Sequence, residues 1–156
     1  MSHAFRDHPS PPPDGPAPIS YEVEAACRRL VVAFAHHLDH REFDRVAALF
    51  TEDGVWDRHG ERLVGPSRIL ALLDQRPASQ LERHVMTTIH VTQQSPHECA
   101  ATSYAMIFRA EATPGHPATV AGPVAVGEFH DRFRLTDSGW RLSFKTSEPV
   151  FVIRPT

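Results

Sequence analysis

Cysteine is scarce in this sequence, and the two that occur, Cys27 and Cys99, lie in apolar segments without CxxC spacing. Buried free thiols in a reducing compartment are therefore the favoured interpretation. No hydrophobic run approaches the roughly 20 residues that a membrane-spanning helix needs, so no membrane association is expected. The first residues show no basic start followed by an apolar stretch, which predicts a cytoplasmic protein without a secretory signal.

The chain also lacks an excess of positive charge. Its 16 lysine and arginine residues are outnumbered by 19 aspartate and glutamate residues, so the net charge is −3. Nucleic acid is therefore not an expected partner. A hydrophobic content of 41% and a length of 156 residues suit one soluble globular domain. Histidine is unusually frequent, at 11 residues, which indicates proton chemistry or metal binding without deciding between them.

The N-terminal part of the chain changes character near residue 19. Residues 1–18 are rich in proline and poor in residues that pack, which predicts a disordered tail before a domain over 19–156. Ser20 is placed to N-cap a helix over 21–38, where apolar residues recur at helical spacing. A short second helix should end before an Asp-Gly turn, and Gly-Pro-Ser should open a third helix over 67–74.

The C-terminal part is rich in β-forming residues. After a short strand pair come four longer segments, roughly at 83–94, 98–110, 124–136 and 140–153. Helices first and antiparallel strands last predict an α+β domain, with the helices packed against one face of a curved sheet. Such a sheet leaves a concave, largely apolar cavity, which is the default place for a small ligand.

Residues 36–45, HHLDHREFDR, form the densest polar cluster. Asp39 and Glu42 have capping-box spacing, so Asp39 could N-cap the second helix. His36 and His40 are one helical turn apart, which is metal-ligand spacing, but both lie off the apolar stripe of the first helix. Because neither an HExxH motif nor a Cys/His quartet supports them, we predict no metal site. Two interpretations of Asp39 therefore remain: it is the N-cap of the second helix, or it is a catalytic carboxylate.

Four segments carry a family resemblance: ALFTEDGVW, GPSRILALL, RHVMTTIHV and GWRLSFK. With the preceding helices they resemble the SnoaL-like group of the nuclear transport factor 2-like superfamily. That group includes polyketide cyclases, scytalone dehydratase, bile acid dehydratase and a lindane dehydrochlorinase. The resemblance covers about residues 20–153. It implies a cone-shaped, curved mixed sheet wrapped around three N-terminal helices, no cofactor, and a homodimer formed through the outer face of the sheet.

The resemblance further implies an aspartate/histidine dyad, as in the dehydratase and dehydrochlorinase members. Matched by motif, the aspartate falls on Asp39 in HLDHREFDRV and the histidine on His84 in LERHVMTT. Histidine, with an ordinary pKa near about 6.5, suits the removal of a carbon-bound proton, and the aspartate would fix its tautomer. Tyr104 and Lys145 are the candidate donors to developing charge. Lys145 stands near the position where the dehydrochlorinase has an arginine.

Strand alternation bears on whether His84 can act. A regular strand would place His84 on the face opposite Ile89 and Val91. If Ile89 and Val91 face the helices, His84 reaches the concave face only where a β-bulge intervenes.

Large apolar side chains supply both the core and the candidate pocket. Tyr104 alternates with two of them, so burial in the core is as good an interpretation of Tyr104 as a donor role. The predicted pocket lining consists of Phe34, Trp56, Met86, Met106, Phe108 and Phe129.

The predicted function is a cofactor-free, dehydratase-like lyase that acts on a small hydrophobic, ring-bearing carbonyl compound by His/Asp general-base catalysis. A polyketide cyclase or ketosteroid-type isomerase on the same fold is one alternative. A non-catalytic module for small-ligand binding or dimerisation is another. The discriminating observation is whether Asp39 and His84 meet within about 3.2 Å inside one pocket.

Overall fold

Residues 19–153, which are the residues that the computed structural model describes, form three helices and six strands, and the third helix lies between the second and third strands. The proline-rich tail predicted over 1–18 lies outside them. The helices are α1 (Tyr21–Asp39), α2 (Phe43–Ala47) and α3 (Pro66–Leu73). The strands are β1 (Phe50–Arg58), β2 (Glu61–Val64), β3 (Gln80–Ser95), β4 (Glu98–Glu111), β5 (Ala125–Thr136) and β6 (Gly139–Val152). Each predicted element is present, although Phe50, assigned from its pattern to the second helix, begins β1.

All six strands belong to one sheet, in the order β2-β1-β6-β5-β4-β3. Strand β1 runs parallel to β6, and the other neighbours are antiparallel. The pairing register shifts in several places, and such bulges bend strands and increase their twist. The result is a curved, unclosed mixed sheet with the helices packed against it, which confirms the predicted α+β architecture.

Helix α1 supplies one side of the core. The hydroxyl of Ser20 accepts a hydrogen bond from the backbone N–H of Val23 at 3.3 Å, which confirms the predicted N-cap. Cys27 of α1 and Cys99 of β4 are both free and buried, as expected. Burial raises the pKa of the Cys27 thiol to about 12, so this thiol is unreactive and packs as a small apolar group. Within residues 19–153, no helix has the length and apolar character needed to cross a membrane.

A bulge in β3 decides which of its residues reach the concave face. Regular pairing with β4 breaks between Thr87 and His90, and Thr88 adopts the left-handed region with φ of 49°. Two residues of β3 therefore oppose one of β4, and the alternation of side chains shifts by one. As a result His84, before the bulge, and Val91, after it, lie on the same inner face. The bulge on which His84 depends is present.

Strand β4 pairs regularly with β5, so strict alternation holds along it. Ser103 and Ala105 are fully buried, whereas Tyr104 is 43% exposed and Met106 is 39% exposed. Phe108 is an even number of residues from Tyr104 and Met106, so its side chain lies on the same face of the strand. These three residues lie on the outer face of the sheet. The predicted lining by Met106 and Phe108 is therefore wrong, and so are both interpretations of Tyr104, as a donor and as a core residue.

Replacing Thr88 with glycine tests the bulge. A left-handed conformation costs an L residue about 1–2 kcal/mol, whereas the extra chain entropy of glycine costs about 0.5–1 kcal/mol. We expect Thr88→Gly to leave the free energy of unfolding in urea unchanged or slightly higher. Thr92→Gly, at an exposed and regular position of the same strand, should lower it by about 1 kcal/mol. An equal loss in both variants would contradict the bulge at Thr88.

Candidate active site

Asp39, the last residue of α1, contacts His84 of β3 through both of its carboxylate oxygens. Asp39 Oδ1 lies 2.6 Å from His84 Nδ1, and Oδ2 accepts a hydrogen bond from the backbone N–H of His84 at 2.7 Å. The two side chains are only 7% and 8% exposed. The distance meets the condition of about 3.2 Å set from the sequence. The second condition, that both residues lie inside one pocket, is not met, because neither residue lines a described cavity.

This contact determines the tautomer of the ring. A carboxylate can only accept, so Nδ1 of His84 carries the proton and Nε2 keeps a free lone pair in the neutral imidazole. The contact also corrects the capping hypothesis. The N-cap of α2 is Glu42, without a side-chain cap hydrogen bond, and both oxygens of Asp39 are engaged by His84.

The turn after α1 is held in place from two sides. Arg41 has φ of 59°, and its guanidinium donates to the carbonyl oxygens of Arg76 at 2.9 Å and Pro77 at 3.0 Å. Arg83 of β3 donates to the backbone carbonyl oxygen of Asp39 at 3.0 Å. These bonds fix the end of α1 against β3, so the position of the Asp39 carboxylate does not depend on its own contact with His84 alone.

Phe129 of β5 connects His84 to a second polar pair. The ring centroids of Phe129 and His84 are 6.4 Å apart in an edge-to-face arrangement. Lys145 Nζ lies 4.6 Å from the Phe129 centroid and 4.3 Å from the Phe34 centroid, and it donates to Asp131 Oδ1 at 2.9 Å. Lys145 is 1% exposed. The structure therefore places Lys145 on the inner face, one aromatic ring away from His84.

Asp131 was not singled out from the sequence. Burial raises the pKa of its carboxyl, while the charge of Lys145 and their hydrogen bond act to lower it. Within the described residues, Asp131 Oδ2 and Ser103 Oγ are buried without a hydrogen-bond partner. The sequence did contain a signal for Asp131. It is two residues from both Phe129 and Phe133, so in a strand the three side chains lie on the same face, and an acidic residue on an otherwise apolar face is unusual.

A cavity of about 290 Å³ lies on the inner face at the open end of the sheet, and its wall contains Phe129, whose ring contacts Lys145. A larger depression of about 550 Å³, between α2 and α3, contains neither Asp39 nor His84. The smaller cavity shares Phe129 with the Asp39–His84 pair. Its wall includes His59, Ile107, Arg109, Gly127, Phe129 and Ser147.

Glu82 binds side chains at the rim of the cavity, which is the part of the wall around Arg109. Its carboxylate forms an ion pair with Arg76, and Oε1 accepts hydrogen bonds from Arg109 Nε and Gln80 Nε2, both at 2.7 Å. Burial acts to raise the pKa of Glu82, but the two arginines outweigh it and hold the pKa below its ordinary value.

Arg58 of β1 lies next to this rim, because the register that pairs Asp57 with Thr146 brings Arg58 beside Ser147 of the cavity wall. Its guanidinium carbon lies 5.2 Å from the centroid of the Trp56 ring, a cation–π contact. Burial lowers the pKa of Arg58, and the charges of Arg76 and Arg109 lower it further, while Glu61 and Glu82 act to raise it.

The other predicted lining residues divide between the inner and outer faces. Phe34, Trp56 and Phe129 are buried on the inner side, with Phe34 and Trp56 packed edge to face at 5.1 Å. Met86 is half-buried against the core. Met106 and Phe108 lie on the outer face, as described above.

The histidines of HHLDHREFDR outside the Asp39 contact lie at the exposed end of α1. Potential ligand atoms of His36, His37 and Glu42 come within 4.8 Å of one another. His37 Nδ1 lies 2.5 Å from Glu42, so these two side chains already satisfy each other. This cluster is separate from the buried Asp39–His84 pair.

Removal of the Asp39 carboxylate should change the tautomer of His84. Nitrogen NMR of the imidazole, at a pH where the ring is neutral, should show the proton on Nδ1 in the wild type. In Asp39→Ala it should show a majority of the Nε2 tautomer, because the acceptor for Nδ1–H is gone. Asp44→Ala, which removes an exposed carboxylate from α2, is the control and should change nothing. A wild-type ring protonated mainly on Nε2 would contradict the contact.

Known structures share the fold of this chain. No curated protein sequence matches the chain at a significant level. Among solved structures, hexachlorocyclohexane dehydrochlorinase LinA-type3 from Novosphingobium barchaimii LL02 has 16% identity and a TM-score of 0.71, with 85% of this chain and 89% of that chain covered. ActVI-ORFA from Streptomyces coelicolor has 21% identity and a TM-score of 0.69, with coverage of 83% and 98%. A proposed scytalone dehydratase from Novosphingobium aromaticivorans DSM 12444 has 18% identity and a TM-score of 0.70, with coverage of 85% and 87%.

These identities show a shared fold, and the family is established by a different comparison. The family model of the SnoaL-like domain matches residues 20–146, which is most of the chain. The chain therefore belongs to the SnoaL-like family.

Proposed function

We propose that the protein is a cofactor-free lyase that dehydrates a small, hydrophobic, ring-bearing β-hydroxy carbonyl compound. The observation that carries this proposal is the buried Asp39–His84 contact of 2.6 Å, next to a cavity that shares Phe129 with it. Dehydrochlorinase and dehydratase names among the structural neighbours support an eliminating enzyme as the general class.

The base in this proposal is Nε2 of His84. It removes a proton from the carbon next to the carbonyl group, and the C–H electron pair becomes an enolate. Asp39 stabilises the imidazolium that forms, because its negative charge lies 2.6 Å from Nδ1. The enolate then forms the C=C bond as the β C–O bond breaks, and the departing oxygen takes the proton from Nε2 and leaves as water. Atoms balance, and His84 returns to its neutral form.

Lys145 is the proposed stabiliser of charge on the enolate oxygen. Its ammonium group has three N–H donors, of which one binds Asp131 Oδ1 while Phe34 and Phe129 flank the group. In a site from which water is excluded, a fixed positive charge stabilises a developing anion far more than it does in water. Asp131 positions Lys145. Tyr104, the other candidate from the sequence, has no part in this proposal because it lies on the outer face.

Cyclisation and double-bond isomerisation begin with the same proton transfer. They differ only in the fate of the enolate: a carbon electrophile captures it in a cyclase, and a proton returns to it at another carbon in an isomerase. A binding module, by contrast, needs no base, so a buried base with a free Nε2 has no role in it.

Elimination from the aldol of benzaldehyde and acetone, monitored by the ultraviolet absorption of benzalacetone, tests the proposal. Exchange of the α protons of β-tetralone for deuterium in heavy water measures the first step, proton removal, separately from elimination. We expect His84→Gln to lower both rates by about 10²–10⁴-fold, because it removes the base. His90→Gln, an exposed histidine beyond the bulge of the same strand, should retain the wild-type rates. Wild-type rates no higher than those of His84→Gln would favour the binding module.

We also propose a homodimer that forms through the outer face of the sheet. The strand register aligns Val85, Met106, Val126 and Phe151 in one row across β3, β4, β5 and β6. Met106 is 39% and Phe151 is 63% exposed in the single chain. A row of apolar side chains on a sheet can pair with its own copy about a two-fold axis.

Sedimentation equilibrium tests the dimer. We expect the wild type to sediment as a dimer at micromolar concentration, and Met106→Arg to weaken association by at least about tenfold, because it places a charge in the apolar row. Val32→Arg alters an apolar residue of α1 that is 51% exposed and lies off the row, so it should remain dimeric. A monomeric wild type would contradict the proposal.

A further inference from the structure

Charge is unbalanced at the rim of the cavity. Two guanidinium groups, on Arg76 and Arg109, bind the carboxylate of Glu82, and a third, on Arg58, lies two residues after Trp56 on the same face of β1. That carboxylate already accepts hydrogen bonds from Arg76, Arg109 and Gln80. Glu61 of β2 also acts on Arg58, but its side chain is exposed to solvent. Glu148 also lines the cavity, but its side chain is 73% exposed and lies 3.5 Å from His130. Within the described residues, Glu82 is therefore the one buried carboxylate that offsets the charge of the three arginines.

Arg58 is the least satisfied of these cations. It is half-buried and packs over Trp56, yet within residues 19–153 its guanidinium makes no hydrogen bond and no ion pair. Buried or partly buried charges are normally paired, because their desolvation is costly. A guanidinium also presents several N–H donors in a planar fork that matches a carboxylate. The geometry of Arg58 is that of a cation prepared for an anion from outside the chain.

Arg109 links this charge to the cavity. Its Nε binds Glu82, while its side chain is 54% exposed and forms part of the cavity wall with His59 and Phe129. Both terminal nitrogens of Arg109 therefore remain available for a second acceptor. Because Phe129 also contacts His84, one molecule that has its reacting carbon beside His84 extends past Phe129 toward the rim.

We propose that the compound bound in this cavity carries a carboxylate, which Arg58 and Arg109 hold at the open end while its ring packs against Phe129. The placement of a reacting carbon beside His84 rests on the proposed function, whereas the binding of the anion does not. This assignment narrows the substrate class from a hydrophobic ring compound to a ring compound with an acid group remote from the reacting carbon.

Isothermal titration with naphthoate and naphthamide tests the proposal, since the two probes share a ring system and differ in charge. We expect the wild type to bind naphthoate at least about tenfold more tightly, as charge-assisted hydrogen bonds do. Arg58→Gln should remove most of this preference and lower the melting temperature only slightly, because the cation–π contact with Trp56 is the one contact of its guanidinium among the described residues. Arg58→Lys should keep part of it. Arg68→Gln, an exposed arginine of α3, should keep all of it.

Several results would overturn the proposal. Equal affinities for the two probes would do so, as would a failure of naphthoate to bind or a preference that survives in Arg58→Gln. Tighter binding of naphthyl phosphate than of naphthoate would overturn the choice of a carboxylate. His84→Gln separates the two hypotheses: it should keep the preference for naphthoate although it lacks the base. A wild type that prefers naphthoate yet catalyses neither elimination nor proton exchange refutes the lyase alone.

Discussion

The attachment of Asp39 to the edge of the sheet is the interaction on which the site depends. Strand β3 lies at one end of the strand order, so its outer edge would otherwise present unpaired backbone groups. Asp39 accepts from the backbone N–H of His84, and Arg28 of α1 donates to the carbonyl oxygen of Ile89 at 2.5 Å. Helix α1 thus covers the edge that carries the histidine, and the same carboxylate that protects the edge also orients the imidazole.

The bulge at Thr88 is the second requirement. It allows a strand of 16 residues to bend while both of its halves face the helices. Without the extra residue, burial of Val91 would direct His84 to the outer face, where Asp39 could not reach its ring. A left-handed threonine is an unfavourable conformation for a β-branched residue, and it is tolerated here because the pairing of β3 with β4 on either side determines it.

Charged groups inside the sheet form two separate centres with different states of pairing. Lys145 and Asp131 neutralise each other in the interior, between the rings of Phe34 and Phe129. At the rim, two arginines share the carboxylate of Glu82. Arg58 contacts the ring of Trp56 but has no hydrogen bond or ion pair within the described residues. The interior pair is suited to a transient charge that appears during a reaction, whereas the rim is suited to a permanent charge on a bound molecule.

The amino-acid sequence by itself determined the order and type of the elements, the cap at Ser20, the buried thiols and the pairing of Asp39 with His84 by family resemblance. Helical periodicity and capping are local, so a single segment carries them. The tertiary structure alone decided which face each strand residue occupies. A bulge depends on the pairing with the neighbouring strand. The bulge in β3 allows His84 to lie on the inner face, whereas the regular pairing of β4 with β5 places Tyr104 and Met106 on the outer face. Only folding brings Asp131 to Lys145 and two arginines to Glu82, because these groups lie far apart in the sequence.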